Sequence, residues 1–206
     1  MGWWTDRAVP RVVDLALAGE EVEARRATAC RGLRGSVLEL GFGSGRNVPH
    51  YPAAVEQVYV VEPSDLAWEM AQERRAASPV PIERVGLDGA RVDRPDGSAD
   101  HVLSTFTLCT IPDVASALQE VRRLLRPGGT FHFLEHGHSP DPAVSRWQHR
   151  LDGVHAALLG GCHLTRSVDD LLGASGLEVV ELEHAYAPGL RPFGYLSTGL
   201  ARKPAA

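Results

Sequence analysis

The sequence is poor in cysteine, in long hydrophobic runs and in excess charge, and each absence excludes a class of protein. Its three cysteines, Cys30, Cys109 and Cys162, lie far apart and form no Cys-x-x-Cys pair, so neither a disulfide framework nor a zinc knuckle is predicted. No hydrophobic run reaches about 18 residues, and the N-terminal segment lacks the basic stretch and hydrophobic core of a signal peptide. We therefore expect a cytoplasmic protein without a membrane anchor.

The rest of the composition is typical of one globular domain. The 206 residues are 44% hydrophobic and 23% charged, and the net charge is −5. That charge density is too low for a disordered chain, and the acidic balance disfavours binding to nucleic acid. We expect a single domain over residues 1–206 that acts on a small molecule, with its oligomeric state, a homodimer included, left open.

Short strands alternate with helical segments along most of the chain. Strands are predicted at Ser36–Leu40, Gln57–Val61, His101–Ser104 and Thr130–Leu134. Helical spacing is found over Val9–Cys30, over Asp65–Ala77 and over Val114–Leu125. The first of these predicts one amphipathic helix or a pair broken near Gly19. Asp113 is the predicted N-cap of the last helix. This alternation predicts a doubly wound α/β fold, a parallel sheet with helices on both faces.

Three segments fall outside this alternation. Residues 1–34 are interpreted as an N-terminal helical cap. Residues 137–166, rich in proline, glycine and histidine, predict an insertion that forms a lid over the acceptor side of the sheet. The tail, Leu177–Ala187 and Phe193–Ala201, predicts an antiparallel hairpin at one sheet edge.

A glycine-rich turn follows the first predicted strand. Glu39 lies near the end of that strand, and Gly41, Gly43 and Gly45 follow at alternating positions. Glycine in such a turn allows positive φ and lets a ligand approach the backbone closely. Because ligands of open α/β sheets bind at the carboxyl ends of the strands, this turn is the predicted ligand site. Its Gly-x-Gly-x-Gly spacing differs from the Gly-x-Gly-x-x-Gly of dinucleotide sites.

Acidic residues follow the next two strands. Glu62 comes after the second strand, where a carboxylate can accept hydrogen bonds from both ribose hydroxyls of an adenosine. Asp88 lies on the turn after the presumed third strand and can accept from an adenine amino group. Further along the chain, Arg126–Gly129 predicts a helix stop followed by a tight turn.

The glycine turn, Glu62, Asp88, the Asp96–Asp100 strand entry and the Leu125–Gly129 turn together resemble class I S-adenosylmethionine-dependent methyltransferases. The resemblance runs from about Gly35 to the end of the chain. It implies a Rossmann-like, seven-stranded, mostly parallel sheet with an antiparallel last strand. It also implies S-adenosylmethionine as methyl donor and S-adenosylhomocysteine as product.

The resemblance further implies which residues hold the cofactor. Phe42 stands where many members of the family have a small residue or a cysteine. The implied cofactor-binding residues are Glu39, Gly41, Phe42, Gly43, Gly45, Asn47, Glu62, Pro63, Asp88, Gly89, Thr105 and Phe106.

The end of the predicted strand Thr130–Leu134 is the predicted acceptor side. Glu135 and His136 follow this strand directly, and His138 comes two residues later. A hydroxyl acceptor must lose its proton as it attacks, whereas a thiol reacts as thiolate and an amine already has its lone pair. His136 is therefore the predicted base for a hydroxyl, with Glu135 or His138 assisting and Glu135 orienting a ring.

Glu135-His136 and the Gly161–Arg166 segment narrow the resemblance. They are similar to the methyltransferase branch that includes membrane-anchored thiol S-methyltransferases and their bacterial relatives. This chain has His163 where those relatives have asparagine, and it shows no hydrophobic anchor. Both departures favour a polar hydroxyl acceptor, such as a sugar. A small-thiol S-methyltransferase and a non-catalytic adenosylmethionine-binding protein are the alternatives.

Four further residues are predicted to bind the acceptor: Trp3, Trp4, His163 and Tyr195. Cys109 is predicted to be an inert buried thiol. A Mg²⁺ site built from Asp113, Glu135, His136 and His138 is disfavoured, because hard cations prefer oxygen ligands and no two of these carboxylates are adjacent. No residue is therefore assigned as a metal ligand.

Overall fold

Seven strands form one mixed sheet in the computed structural model, which describes residues 7–205. The strands are β1 (Gly35–Leu40), β2 (Val55–Val61), β3 (Ile82–Gly86), β4 (Ala99–Thr105), β5 (Leu125–His136), β6 (Glu178–Tyr186) and β7 (Tyr195–Arg202). Their order in the sheet is β3-β2-β1-β4-β5-β7-β6. The first five pair in parallel, and β7 is antiparallel to both β5 and β6. The predicted fold class is confirmed.

Helices cover both faces of this sheet. They are α1 (Val9–Ala16), α2 (Glu20–Ala29), α3 (Asp65–Met70), α4 (Gln72–Ala76), α5 (Val114–Leu124), α6 (Pro142–Leu158) and α7 (Val168–Ser175). The N-cap prediction for α5 is confirmed, because the Asp113 carboxylate accepts a hydrogen bond from the Ser116 N–H. The single helix predicted over Asp65–Ala77 is wrong. The helix is interrupted at Ala71, so that α3 and α4 are separate. Ala71 is fully buried against the glycine turn, and the sequence around it contains no residue that typically ends a helix.

Alternate residues of the central strands face two hydrophobic layers. Leu38 of β1 and Val102 of β4 pack in the layer that contains residues of α5 and α7. Val37 and Leu103, their neighbours along the chain, pack in the layer that contains the end of α2. Successive side chains of a strand point to opposite faces, so a sheet covered on both sides reads as nearly continuous hydrophobic sequence.

Strand β5 begins earlier than its predicted start at Thr130. Leu125 pairs with Ala99 of β4, and the register then shifts so that Thr130 pairs with His101. The predicted turn over residues 126–129 is therefore a bulge inside the strand. Gly128 in this bulge has φ of 76°, a conformation that glycine adopts readily.

The carboxyl ends of β1 and β4 create the crevice of the fold. β1 lies between β2 and β4, so the chain connections on its two sides diverge at this point, where ligands of open α/β sheets bind. α6 lies within the predicted lid, and its Gln148 donates hydrogen bonds to the carbonyls of Gly137 (3.0 Å) and Pro192 (3.1 Å). The lid role of residues 137–166 stays a prediction. Within residues 7–205, no helix combines the length and hydrophobicity that crossing a bilayer requires.

Candidate active site

The glycine turn after β1 has the backbone geometry that its composition predicts. Gly41, Gly43 and Gly45 have φ of 68°, 57° and 77°. A Cβ on Gly41 would overlap the Thr107 side chain, so the turn and the segment after β4 can approach this closely only with glycine there. A Cβ on Gly43 would meet no atom within 4 Å, so this part of the backbone borders open space.

Glu62 lies directly across from this turn. One of its carboxylate oxygens accepts from the Gly43 N–H (2.6 Å) and the other from the Ser64 N–H (2.7 Å). Its side chain is buried, and burial raises the pKa of the carboxyl. The structure thus brings the predicted ribose-binding acid to the predicted glycine turn.

A buried polar network supports the end of β1. Glu39 accepts hydrogen bonds from the Asn47 amide (3.0 Å) and from the Tyr51 hydroxyl. The Arg26 guanidinium donates to Asn47 Oδ1 (3.0 Å) and to Thr105 Oγ1 (2.8 Å), so it joins α2 to the ends of β1 and β4. Burial raises the pKa of Glu39 to about 7, although the hydrogen bonds and the charge of Arg26 oppose that shift.

The sequence did not indicate Arg26 or Tyr51 as part of this network. Both join it through tertiary contacts, and neither lies near a recognisable motif in the sequence. Asn47 and Thr105, implied as cofactor residues, are hydrogen-bonded to each other (2.9 Å) and have their side chains in the network.

Within residues 7–205, Phe106 is the only residue other than glycine that has a positive φ, and its φ is 54°. Such a conformation is strained for a bulky residue and is often found at functional sites. Glu135 of β5 holds this turn in place, because its carboxylate accepts from the Ser104 hydroxyl (2.6 Å) and from the N–H groups of Thr107 (2.9 Å) and Leu108 (3.1 Å). The turn thus places Thr107, the residue after Phe106, against Gly41 of the glycine turn.

These contacts correct the role predicted for Glu135. Its carboxylate is fully buried and organises the turn after β4, and within the described chain it makes no hydrogen bond to a histidine ring. His138, the other residue predicted to assist His136, contacts a different element. His138 Nε2 lies 2.7 Å from Ser145 Oγ on α6, whereas His136 faces the segment after α6.

His136 instead lies in a cluster with two cysteines. Its Nε2 is 2.8 Å from Cys162 Sγ, and Cys162 Sγ is 3.2 Å from Cys109 Sγ. The His155 ring packs edge-on against His136, with ring centroids 6.2 Å apart, and His155 Nδ1 lies 2.8 Å from the Cys162 carbonyl. The hydrogen bond between the Cys109 and Cys162 sulfurs lowers the pKa of Cys162, with His136 adding to the effect, and the same bond together with burial raises the pKa of Cys109.

This cluster was not predicted from the sequence. Cys109 is buried as predicted, but its neighbour Cys162 is 53 positions away in the chain and the two lie on different segments. No local spacing rule links such residues. The short distance follows from the way the segment after α6 packs on the turn after β4, where the His163 N–H donates to the Cys109 carbonyl (3.0 Å).

His163 forms a second pair in the same segment. Its Nδ1 lies 2.9 Å from the Asp152 carboxylate of α6, and its side chain is 40% exposed. The other oxygen of Asp152 accepts from the Leu164 N–H (2.6 Å) and the Thr165 N–H (3.2 Å). The imidazole is therefore oriented by a carboxylate that is itself fixed by the backbone.

The remaining predicted site residues have varied environments. Asp88 is exposed, and its carboxylate accepts from the Ala90 N–H (2.9 Å). Tyr195 is buried, and its ring packs between those of His184 and Tyr186, with centroids 5.4 and 5.2 Å away. Trp3 and Trp4 lie outside the described residues.

Three other predicted cofactor residues lie around the glycine turn. Phe42 is buried, with its ring 5.6 Å from that of Trp68, so its side chain belongs to the core beneath the turn. Pro63 is exposed beside Glu62. Gly89 lies near the side chains of Ile111 and of Leu40, the last residue of β1.

The residues of the crevice fit S-adenosylmethionine. The open space above Gly43 admits a ligand against the backbone, and the Glu62 carboxylate is a buried acceptor beside it. Asp88 supplies a second, exposed acceptor. Hydrogen-bond acceptors at these two places match the hydroxyl and amino donors of an adenosine.

Comparisons with known proteins agree with this geometry. Residues 38–133 match the family model described as a methyltransferase domain. Thiol S-methyltransferase TMT1A from Homo sapiens is 33% identical over 159 residues, covering 74% of this chain and 64% of that protein. Thiol S-methyltransferase TMT1B from Mus musculus is 33% identical over 185 residues, covering 82% of this chain and 70% of that protein. The chain thus spans about two thirds of the length of these relatives.

A solved structure has the same fold. It is an N-methyltransferase from Haemonchus contortus in complex with S-adenosylhomocysteine, with a TM-score of 0.72 and 13% identity over 98% of this chain and 60% of that chain. The crevice between β1 and β4, with its glycine turn and the Glu62 carboxylate, lies where ligands of open α/β sheets bind. The chain belongs to the class I S-adenosylmethionine-dependent methyltransferases.

Proposed function

We propose that this protein transfers a methyl group from S-adenosylmethionine to a small thiol. Two relatives that are 33% identical to the chain are thiol S-methyltransferases, and this supports the thiol over other nucleophiles. The proposal reverses the preference for a hydroxyl acceptor that the sequence suggested.

Bound S-adenosylmethionine supplies an electrophilic methyl group on a positively charged sulfur. The protein's residues hold the donor and place the acceptor in line with it, about 3 Å from the carbon. The backbone at Gly43 and the carboxylates of Glu62 and Asp88 bind the nucleoside end. Phe106, on its strained turn, borders the space between donor and acceptor.

The observation that carries the proposal is the position of His136. A hydroxyl acceptor needs a base with an unengaged lone pair, whereas a thiolate needs none. His136 Nε2 is 2.8 Å from Cys162 Sγ, so the nitrogen predicted to deprotonate a hydroxyl is already engaged. Glu135, its predicted assistant, is committed to the turn after β4. This arrangement favours an acceptor that ionises without help from His136.

A second candidate is O-methylation of a hydroxyl, such as that of a sugar, with His163 as the base. It is favoured by the contact between His163 Nδ1 and Asp152, which orients the ring of a 40% exposed side chain as a carboxylate orients a catalytic histidine. In this candidate His163, predicted only to bind the acceptor, takes the proton.

Labelled S-adenosylmethionine and matched acceptors distinguish the candidates. Each thiol is paired with the alcohol of the same carbon skeleton, and the methylated product is identified by mass spectrometry. We expect methyl thioethers at a rate that rises with pH as the acceptor thiol ionises. Methyl ethers alone would contradict the proposal, and cofactor binding without any product would support a non-catalytic binding protein.

Histidine variants add a second criterion. If a histidine deprotonates a hydroxyl, its change to glutamine should reduce the rate by about 10²–10⁴-fold. For thiol transfer we expect His136→Gln and His163→Gln each to lower the rate less than tenfold. His149→Gln, an exposed histidine on α6, is the matched control. A cytoplasmic location, a homodimer and the lack of a nucleic-acid partner stay predictions of the sequence.

A further inference from the structure

Three soft or borderline metal-ligating atoms converge beside the crevice. Cys109 Sγ, Cys162 Sγ and His136 Nε2 all lie within 4.8 Å of one another, and both cysteines are buried. The three residues come from the turn after β4, the segment after α6 and the end of β5. Among residues 7–205, this group does not include Asp113, Glu135 or His138, the residues considered for Mg²⁺.

The ligand atoms indicate the kind of ion. Thiolate sulfur and imidazole nitrogen are the ligands of thiophilic ions such as Zn²⁺, whereas Mg²⁺ takes oxygen. Sulfur atoms lie about 2.3 Å and nitrogen atoms about 2.0–2.1 Å from bound zinc, which places tetrahedral ligands roughly 3.5–3.8 Å apart. The observed distances are 3.2 Å between the two sulfurs and 2.8 Å between Cys162 and His136. Side-chain movements of less than about 1 Å would therefore open the cluster around an ion.

The surroundings hold the three ligands in place. His136 ends β5, and its backbone pairs with Leu196 of β7. Arg166 donates to the carbonyls of Leu108 (2.5 Å) and Ile111 (2.6 Å), which fixes the segment after α6 against the turn that carries Cys109. Partners that fix the orientation of ligands are typical of metal sites.

We propose that Cys109, Cys162 and His136 form a binding site for one thiophilic metal ion, with Zn²⁺ as the reference ion. Three protein ligands leave one tetrahedral position for water, with the His155 ring next to the site. The ion would join the turn after β4, the end of β5 and the segment after α6. This inference concerns ion binding and does not depend on the identity of the methyl acceptor.

Cobalt provides the direct test, because thiolate ligands give Co²⁺ a charge-transfer absorption that other ligands do not. Freshly reduced, oxygen-free full-length protein is titrated with Co²⁺ alone and then with Zn²⁺. We expect one equivalent of Co²⁺ to bind with a thiolate charge-transfer band, and one equivalent of Zn²⁺ to remove that band. If wild-type protein shows no such band, the inference is wrong.

Variants locate the site. Cys109→Ser and Cys162→Ser should each abolish or strongly shift the band and weaken binding by more than about 100-fold, since even partners outside the ligand set change affinity about 10–100-fold. Cys30→Ser, at the buried cysteine outside the cluster, is the matched control and should bind as wild type. A band that survives both changes, or that is lost in Cys30→Ser, would overturn the assignment.

A third variant covers the case in which the cysteine variants fail to fold. His136→Gln keeps both sulfurs and should weaken Co²⁺ binding at least tenfold while leaving a thiolate band. Circular dichroism and binding of S-adenosylhomocysteine check that each variant is folded. Unchanged Co²⁺ affinity in folded His136→Gln would exclude His136 from the site.

Discussion

At the scale of single residues, Glu39 shows how this crevice is built at the expense of stability. Its carboxyl is fully buried beneath the glycine turn, and burial raises its pKa from 4.5 to about 7. The folded protein therefore holds the proton more tightly than the unfolded chain does. The contribution of this group to stability is fully present below about pH 4.5 and is lost as the pH rises towards 7.

Glu39→Gln removes this pH dependence because glutamine stays neutral. Relative to wild type, we expect the variant to gain about 2–3 kcal/mol in free energy of unfolding between pH 5 and pH 8. Urea unfolding at the two pH values measures the change. The exposed Glu56→Gln on β2 is the control and should alter stability by less than about 0.5 kcal/mol at either pH. A Glu39→Gln difference that does not change with pH would show that Glu39 is ionised throughout.

Glu62 gives a second prediction at this scale. Glu62→Gln replaces a charged acceptor with a neutral one, and hydrogen bonds to charged groups are worth about 1.5–3 kcal/mol. We expect S-adenosylhomocysteine to bind about 10–100-fold more weakly, measured by calorimetry. Asp65→Asn, a neighbouring exposed acid, is the matched control and should bind as wild type. Equal affinity of the Glu62 variant and wild type would remove this residue from the cofactor site.

Residue-scale features were predictable from the sequence only where a motif carries them. Gly43 and Glu62 are recognisable because a turn with positive φ and an acid after the next strand follow from local spacing. The contact between Cys109 and Cys162 depends on how two distant segments pack, so spacing could not indicate it. The partners of Glu135 were mispredicted for the same reason, since they lie on the neighbouring strand and its turn.

At the scale of elements, two glycines of the glycine turn have different roles: Gly41 is required by packing against Thr107, and Gly43 borders the open space that a ligand would occupy. Gly41→Ala would overlap Thr107 and strain a residue with φ of 68°, whereas Gly43→Ala meets no atom within 4 Å. We expect Gly43→Ala to lose about 1–2 kcal/mol of stability from its φ alone and Gly41→Ala to lose more. Binding of S-adenosylhomocysteine should fall in Gly43→Ala, because its Cβ enters the open space.

Chemical unfolding and calorimetry on the two variants test this separation. If Gly43→Ala binds S-adenosylhomocysteine as wild type does, the ligand does not approach the turn at Gly43. If Gly41→Ala is the less destabilised of the two, the packing of the turn against Thr107 does not limit stability.

Helices and strands were predictable where a hydrophobic pattern ends at a residue type that stops a helix or a strand. The strands β1, β2 and β4 and the helix α5 lie close to their predicted positions, because runs of hydrophobic residues end at glycine, proline or a capping acid. The break at Ala71 and the early start of β5 at Leu125 are set by packing and by pairing with Ala99. Neither leaves a local signal in the sequence.

At the scale of the whole molecule, ligand binding should stabilise the fold because the crevice draws residues from β1, β2 and β4 together. A ligand at 100 times its dissociation constant adds about 2.7 kcal/mol. For a chain of this size that corresponds to a rise in melting temperature of about 5–10 °C. S-adenosylhomocysteine should produce this rise and NAD should not, since the Gly-x-Gly-x-Gly turn does not suit a dinucleotide. An equal rise with NAD would contradict the assignment of the cofactor.

The proposed transfer to thiols is tested most directly with one acceptor that carries both nucleophiles. With 2-mercaptoethanol and deuterated-methyl S-adenosylmethionine, mass spectrometry shows which atom receives the label. The thiol assignment predicts the S-methyl product, formed together with S-adenosylhomocysteine in equal amounts. Exclusive formation of the O-methyl product would contradict it.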